Sequence, residues 1–442
     1  MTFARQSIET FLFQIAGFIC NAITGMIIVQ ALGPTDFGQI SLIIFYLTLF
    51  YVIGNFSVGL GIIHHMGRGD HKVEEFAGNA LFMSIISGIG MYLAFLVTSY
   101  LFYESLYKDI NRIVLACAMF LLPFYIINYL FSSILQSVLK IRSYNLITQF
   151  SAIFILPLVT IAALFGHLTV PEIITIMLVV GISGSVFALC SVAKITPSKW
   201  KINLPLLKSL IKDGLQIHIG AIATFLYVQI NILMINYYLD LTQVGYYYLA
   251  YSLGNFLFFI SVSVEAGLYP RVSSENLGKA VDIATAACKQ VLWLTAGVAI
   301  LMGVMAKYII LLYAGSQFLP AVGPLIILLP GLTIYTISKT LSTLWVRKGW
   351  FLPVTFIACL TAVVNIILNF TLIPRYGISG AAVANSLTYL FNGSVSIFLY
   401  YKFIDHHIWR LVIFDKSDWI FYKRFCTKSM EILRQVTTRL AL

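Results

Sequence analysis

The sequence predicts an all-α polytopic membrane protein with about twelve spanning helices in two six-helix lobes. Three observations carry that expectation. Apolar stretches of about 20 residues alternate with short polar breaks from Ile8 to Phe403. The composition is 60% hydrophobic and 10% charged, with a mean hydropathy of +0.92, where a soluble domain carries about 25% charged residues. The turn that follows the first stretch returns 207 residues later. A helix of about 20 residues crosses the roughly 30 Å hydrocarbon core and satisfies its own backbone polar groups there.

The first stretch, Ile8 to Leu32, follows Arg5 and includes Glu9, with no small-residue cleavage site after a short core, so it reads as a spanning helix and not a removable signal. It ends at Leu32-Gly33-Pro34-Thr35-Asp36-Phe37-Gly38, where Gly33 can cap the helix in a left-handed conformation and Pro34 stops it. Thr35 or Asp36 can then cap the next helix, Ile40 to Ile63. Ala77 to Phe102, Ile113 to Val138, Leu146 to Phe165 and Ile173 to Ala193 complete a first lobe, residues 1–193. Residues 194–213 form a basic linker, with Lys194, Lys199, Lys201, Lys208 and Lys212 among Trp200, Leu204, Leu206, Leu207, Leu210 and Ile211. That grammar suits a surface helix gripping anionic headgroups. The second lobe, residues 214–403, holds Gly214 to Tyr238, Tyr246 to Tyr269, Ala286 to Met305, Ala321 to Trp345, Phe351 to Ile373 and Gly380 to Phe403. The tail, 404–442, repeats the linker's pattern, with Phe414, Phe421, Phe425 and Ile432 on one face and Lys416, Lys423 and Arg434 opposite.

Charge sets the expected orientation. Of 28 Lys and Arg residues, 23 fall on one side of such a bundle, counting the N-terminal segment, the linker and the tail. Lys108, Arg112, Lys307 and Arg375 fall on the other, and Lys339 lies within a span. The positive-inside rule therefore places both termini and the linker in the cytoplasm. The net charge of +11 comes from these loops and not from a basic face on a folded module, which favours anionic lipid over nucleic acid as partner. Five of the six cysteines, Cys20, Cys117, Cys190, Cys288 and Cys359, lie in or beside apolar stretches without a CxxC pair, so neither a disulfide framework nor a metal site is expected.

The repeat reads Leu32-x-x-Thr35-x-Phe37-Gly38 against Leu239-x-x-Thr242-x-Val244-Gly245. Two parallel six-helix units related by an axis along the membrane normal would produce it.

Hydrogen-bonding side chains are expensive in hydrocarbon, so their placement points to a polar cavity, with interhelical hydrogen bonding as the competing explanation. Gln14 and Asn21 share a face of the first helix, and Asn55 ends a polar stripe on the second. Gln136 shares a stripe with Asn128 and Ser132, and His218, Gln229 and Asn236 align on the seventh helix. Glu265 lies with Asn255 on the eighth, and Lys339 lies on the tenth beside Thr336 and Thr343, where it could pair with Glu265, line the cavity or snorkel. His64, His65 and His71 cluster without a carboxylate or Cys at ligand spacing and read as a solvated loop. There is no P-loop, GxSxG, dinucleotide fingerprint or HExxH, so no cofactor and no enzyme activity is expected.

Three segments together carry a family resemblance: the turn at Leu32 to Gly38; Thr242-Gln243-Val244-Gly245-Tyr246-Tyr247; and Leu372-Ile373-Pro374-Arg375-Tyr376-Gly377-Ile378-Ser379-Gly380-Ala381-Ala382. In that order they resemble bacterial polysaccharide transporters, the O-antigen (Wzx-type) flippases of the MATE-like superfamily. Members often carry Arg before the first motif and Asp in the seventh helix, where this chain has Gln30 and Asn231. The resemblance implies transfer of an undecaprenyl-diphosphate-linked oligosaccharide between leaflets of the bacterial inner membrane by two lobes that open alternately. It also implies the sugar polymerase machinery as a candidate partner. A drug or small-solute exporter of the same superfamily is the alternative, and a polymerase would be expected to carry a large outer loop that this chain lacks.

Overall fold

The computed structural model describes residues 3–69, 71–107, 109–166, 168–196 and 198–413; the expected amphipathic face from Phe414 to Arg434 lies outside the described residues. Among the described residues there are helices and no strands. In chain order they are α1 (Phe3–Gly54), α2 (Val58–Arg68), α3 (Val73–Leu101), α4 (Arg112–Met119), α5 (Leu122–Ser137), α6 (Ile141–Leu164) and α7 (Val170–Ala193). They continue as α8 (Leu204–Tyr238), α9 (Leu241–Asn255), α10 (Phe258–Ser274), α11 (Leu277–Ala314), α12 (Val322–Arg347), α13 (Phe351–Phe403) and the short α14 (Trp409–Val412).

Ten of these helical runs are long and apolar enough to cross a membrane. Two of the ten, 46 and 53 residues long, are each broken at one glycine, which brings the crossings to about the number expected. In α13 the reversal is explicit. Asn365 Nδ2 donates to Thr388 Oγ1 at 3.0 Å and Asn392 Nδ2 donates to Thr361 Oγ1 at 3.1 Å, two pairs centred on the same point beside Gly377. Only an antiparallel hairpin satisfies both. Gly377 has φ 59° and ψ −140°, and Gly33 in α1 has φ 73° and ψ 176°. Gly33 is therefore not the left-handed cap expected but sits in a region that only glycine occupies at low cost.

Other expected helices are interrupted. The second span breaks at Asn55 to Ser57, where Phe56 and Ser57 have φ of 46° and 52° and Asn55 Oδ1 accepts from Ser57 N at 2.7 Å. The eighth breaks between α9 and α10. The expected linker helix forms only from Leu204; the described residues 194–196 and 198–203 are irregular, and the Asn203 side chain caps α8 by accepting from Leu206 N at 3.1 Å. From Leu204 the chain is one continuous helix into the seventh span, so the expected boundary at 213/214 falls inside α8. Leu206, Leu207 and Leu210 are buried against Val58, Ile62, Phe76 and Phe131 of the first half, and so face protein instead of lipid headgroups.

The loops alternate between two ends of the bundle: one carries the repeated turn (the motif end), the other the 194–203 segment (the linker end). Toward the motif end the two halves share one apolar core, in which Phe37, Phe45 and Leu122 pack with Phe225, Tyr247 and Phe318. Toward the linker end the core is divided in two, one part around Phe76 and Phe131, which also takes in Leu206, Leu207 and Leu210 of α8, and the other around Leu341, Trp345 and Tyr400. The copies of the repeated turn meet each other at the motif end. Thr35 Oγ1 lies 2.9 Å from Thr242 Oγ1, its equivalent 207 positions on. A Cβ on Gly38 would run into the Leu241 carbonyl, and one on Gly245 would run into that of Pro34. Each glycine is the space into which the other turn fits, the self-complementary contact expected on a twofold axis. Oxidation of a Thr35→Cys/Thr242→Cys pair should therefore give a disulfide in most molecules, and adding Gly38→Val should lower its yield severalfold on a non-reducing gel.

Candidate functional site

A polar cavity of about 230 Å³ lies within the second half, toward the linker end. Its chemistry comes mainly from one face of α12, because Tyr335, Ser338, Lys339 and Ser342 follow the i, i+3, i+4, i+7 spacing that gathers residues on one side of a helix. Thr336 and Thr343, expected beside Lys339, are buried on another face, where they donate to the carbonyls of Thr333 and Thr340. Glu265 enters from α10, Thr224 and Tyr227 from α8, and Asn392 and Ser396 from α13, while Trp345, Val354, Ile357 and Ala358 close the apolar side.

Hydrogen bonds fix the wall. Ser338 Oγ donates to Asn392 Oδ1 at 2.6 Å and lies 2.8 Å from Ser396 Oγ. The Tyr227 and Tyr335 hydroxyls are 2.7 Å apart. Lys339 Nζ sits over the rings of Phe258 and Tyr335, 5.3 and 5.9 Å from their centroids, which holds the ammonium inside the bundle. Glu265 Oε1 is buried with no hydrogen-bond partner among the described residues. The cavity thus offers one ammonium, one carboxylate with an unused oxygen, and several hydroxyls. Such a set can pair an anionic group and hydrogen-bond a polyol in both directions. Larger recesses have different walls; one of about 340 Å³ between Leu106, Ile230, Met234 and Phe370 is almost wholly apolar.

Behind the cavity lies a second layer of buried polar groups that the sequence did not point to. The Tyr335 and Tyr389 rings stack at 4.7 Å, and Asn385 Nδ2 donates to the Tyr247 hydroxyl at 3.1 Å. Asn231, the departure noted in the seventh helix, is fully buried here and donates to the Ala381 carbonyl at 3.1 Å. The other departure, Gln30, donates to the Leu312 and Tyr313 carbonyls at 3.1 Å, capping the end of α11 at the motif end. Its role is to join the halves.

Of the other candidates, Asn255 lies beside this layer, its amide close to the Tyr251 hydroxyl. Asn55 and His218 face packed protein and not open space. His218 Nε2 lies 3.1 Å from the Ile53 carbonyl and Nδ1 3.2 Å from Ser57 Oγ, so the pair secures the break between α1 and α2 against α8. Asn236 is at the opposite end of α8, donating to Asp109 at 3.2 Å. The stripe read on the seventh helix is thus spread over the thickness of the bundle. Asn21 and Gln136 are on exposed surface, and Gln14 and Gln229 are half-buried without joining the cavity.

The histidines read as a solvated loop are also placed differently. His64 and His65 lie on α2, and both approach Asp213 Oδ2, at 3.3 and 3.0 Å, while His71 lies 3.1 Å from Glu75. Asp213 is 148 residues from His65, so no ligand spacing in sequence could reveal it.

The charges in the cavity yield a stability prediction. Lys339 is the opposite charge that shares the cavity with Glu265, so removing either leaves the other less compensated, at a cost of about 1–3 kcal/mol. Lys339→Met and Glu265→Gln should each lower the thermal midpoint in detergent, and the double variant should recover at least half of the summed loss. Additive losses would show that the charges do not interact.

Residues 3–275 match the model of the family described as polysaccharide biosynthesis protein, and residues 217–371 match that of MatE. Among curated proteins no sequence matches the chain. Solved structures do resemble it in fold. The lipid II flippase MurJ in an inward closed conformation is 20% identical, with a TM-score of 0.67 over 91% of this chain and 90% of that one. A multidrug resistance MATE family transporter of the MOP superfamily, inward-facing, is 13% identical, with a TM-score of 0.74 over 91% and 98%. A MOP superfamily transporter from Pyrococcus furiosus is 13% identical, with a TM-score of 0.68 over 92% and 95%. With more than half of its length matched by the first model, and with this multi-pass α-helical fold, the chain belongs to the polysaccharide biosynthesis protein family.

Proposed function

We propose that the protein is a flippase that moves a polyprenyl-diphosphate-linked oligosaccharide, an O-antigen or capsule repeat unit, from the inner to the outer leaflet of the bacterial inner membrane by alternating access. The family match over residues 3–275 carries the reading, and the cavity supports it chemically. A sugar diphosphate cannot cross hydrocarbon uncovered, because each unpaired hydroxyl costs several kcal/mol and charge costs more. Lys339 supplies a counter-charge for a phosphate, and Ser338, Ser342, Asn392 and Glu265 supply hydrogen bonds for hydroxyls. A volume of about 230 Å³ holds one sugar ring and not a repeat unit, so the substrate enters as the halves part. In this reading both termini and the 194–203 segment are cytoplasmic, the loop charges rest on anionic lipid, and the motif end faces outward. Two negative charges leaving a compartment held at negative potential gain about 2.3 kcal/mol each per 100 mV, so electrical drive favours the outward direction.

Export of a drug or small solute is a second reading with its own support, the MatE match over residues 217–371 and the TM-score of 0.74 to a multidrug transporter. Proteoliposomes separate the two. Fluorescently labelled polyprenyl-diphosphate oligosaccharide should flip in vesicles containing the protein and slow when the potential is collapsed, and Glu265→Gln and Lys339→Ala should each reduce the rate about tenfold while inserting normally. Uptake of a cationic dye without any lipid-linked sugar movement would establish the exporter instead.

A further inference from the structure

The joint between α2 and α8 brings two imidazoles and a carboxylate to one point, outside the cavity and on the linker end. His64 Nδ1 lies 3.3 Å and His65 Nε2 3.0 Å from Asp213 Oδ2, and the three ligand atoms all fall within 4.8 Å of one another. Bonds of about 2.0–2.1 Å in a tetrahedral site set ligand atoms about 3.3 Å apart. The observed separations from Asp213 are close to that edge length. Neighbouring residues on a helix point about 100° apart, yet here they converge because His64 uses its near ring nitrogen and His65 its far one.

The surrounding backbone holds the two helices in this register. Gly61, three residues before His64, packs against the Leu210 backbone, and Gly214, the neighbour of Asp213, packs against the Phe56 carbonyl. His218, five residues beyond Asp213, is fixed to Ile53 and Ser57. Exposure is graded, 15% at His65, 31% at Asp213 and 54% at His64, so the cluster has a more covered side and an open side where water could complete four-coordination.

We propose that His64, His65 and Asp213 form a binding site for a transition-metal dication of the zinc class. Two imidazoles and one carboxylate match the preferences of zinc and its neighbours and not those of magnesium or calcium, which take oxygen donors. The bound ion would staple the second span of the first half to the first span of the second half, at the end where the apolar core is divided in two.

The test uses the full-length protein in detergent, without a polyhistidine tag, stripped with chelator and titrated with zinc chloride against a chromophoric competitor. One zinc per chain should bind, with the thermal midpoint raised by about 3–6 °C. His65→Ala and Asp213→Asn should weaken binding at least tenfold. His64→Gln should keep the chelated midpoint of the unaltered protein while losing most of the zinc-dependent rise, which separates loss of a ligand from loss of folding. His71→Ala should leave the titration unchanged. The proposal is overturned if the unaltered protein shows no zinc-dependent rise, if the rise survives in all three ligand variants, or if magnesium reproduces it. In each of those cases the cluster is an ion-paired hydrogen-bond joint only.

Discussion

Two glycines facing each other at the motif end set the distance at which the halves of this protein can meet. Inside a bilayer, lipid tails are as apolar as leucine, so burial of side chains does little to drive helices together. Close backbone approach and hydrogen bonds between helices have to do it instead. Gly38 and Gly245 permit the first, and the Thr35–Thr242 hydroxyl pair and the Gln30 bonds to α11 provide the second. The shared core around Phe37, Tyr247 and Phe318 fills in behind them, whereas at the linker end the halves meet through the start of α8, whose Leu206, Leu207 and Leu210 pack on the first half.

The cavity follows from that asymmetry. Its polar wall lies wholly on helices of the second half, so it can keep its shape while the first half moves. The buried tyrosines and asparagines behind it are costly to desolvate, and their mutual hydrogen bonds offset that cost while holding α8, α9, α12 and α13 in register. Lys339 Nζ lies over the rings of Phe258 and Tyr335, which favour the ammonium in this position. A carboxylate and an ammonium therefore stay available within a few ångströms of a row of hydroxyls.

Much of this was legible in the sequence where the signal is one-dimensional. Apolar runs located the spans, and Gly33-Pro34 located a reversal whose exact backbone geometry the residue type alone could not specify. The short repeat proved to be a physical contact between its own copies, which no periodicity could establish. Glu265 and Lys339 stood out because charge is rare in hydrocarbon, and the structure puts them in one cavity. What failed to show was everything that depends on contacts between distant segments. The polar stripes read on single helices included His218, which lies in a packed joint, and missed Asn392, which lines the cavity. The burial of Leu206 and Leu210 against the first half, and the approach of Asp213 to His64 and His65, join residues that sequence spacing keeps far apart.

In the proposed cycle the Gly38–Gly245 contact is a gate that must open when substrate leaves at the motif end. Spin labels at Asp36 and Asp240, in a background without native cysteines, report that distance directly by pulsed electron resonance in nanodiscs. The account predicts a short distance in the empty protein and a second population at least about 10 Å longer when lipid-linked oligosaccharide is present. A single short distance under both conditions, in a protein that still transports, would contradict it.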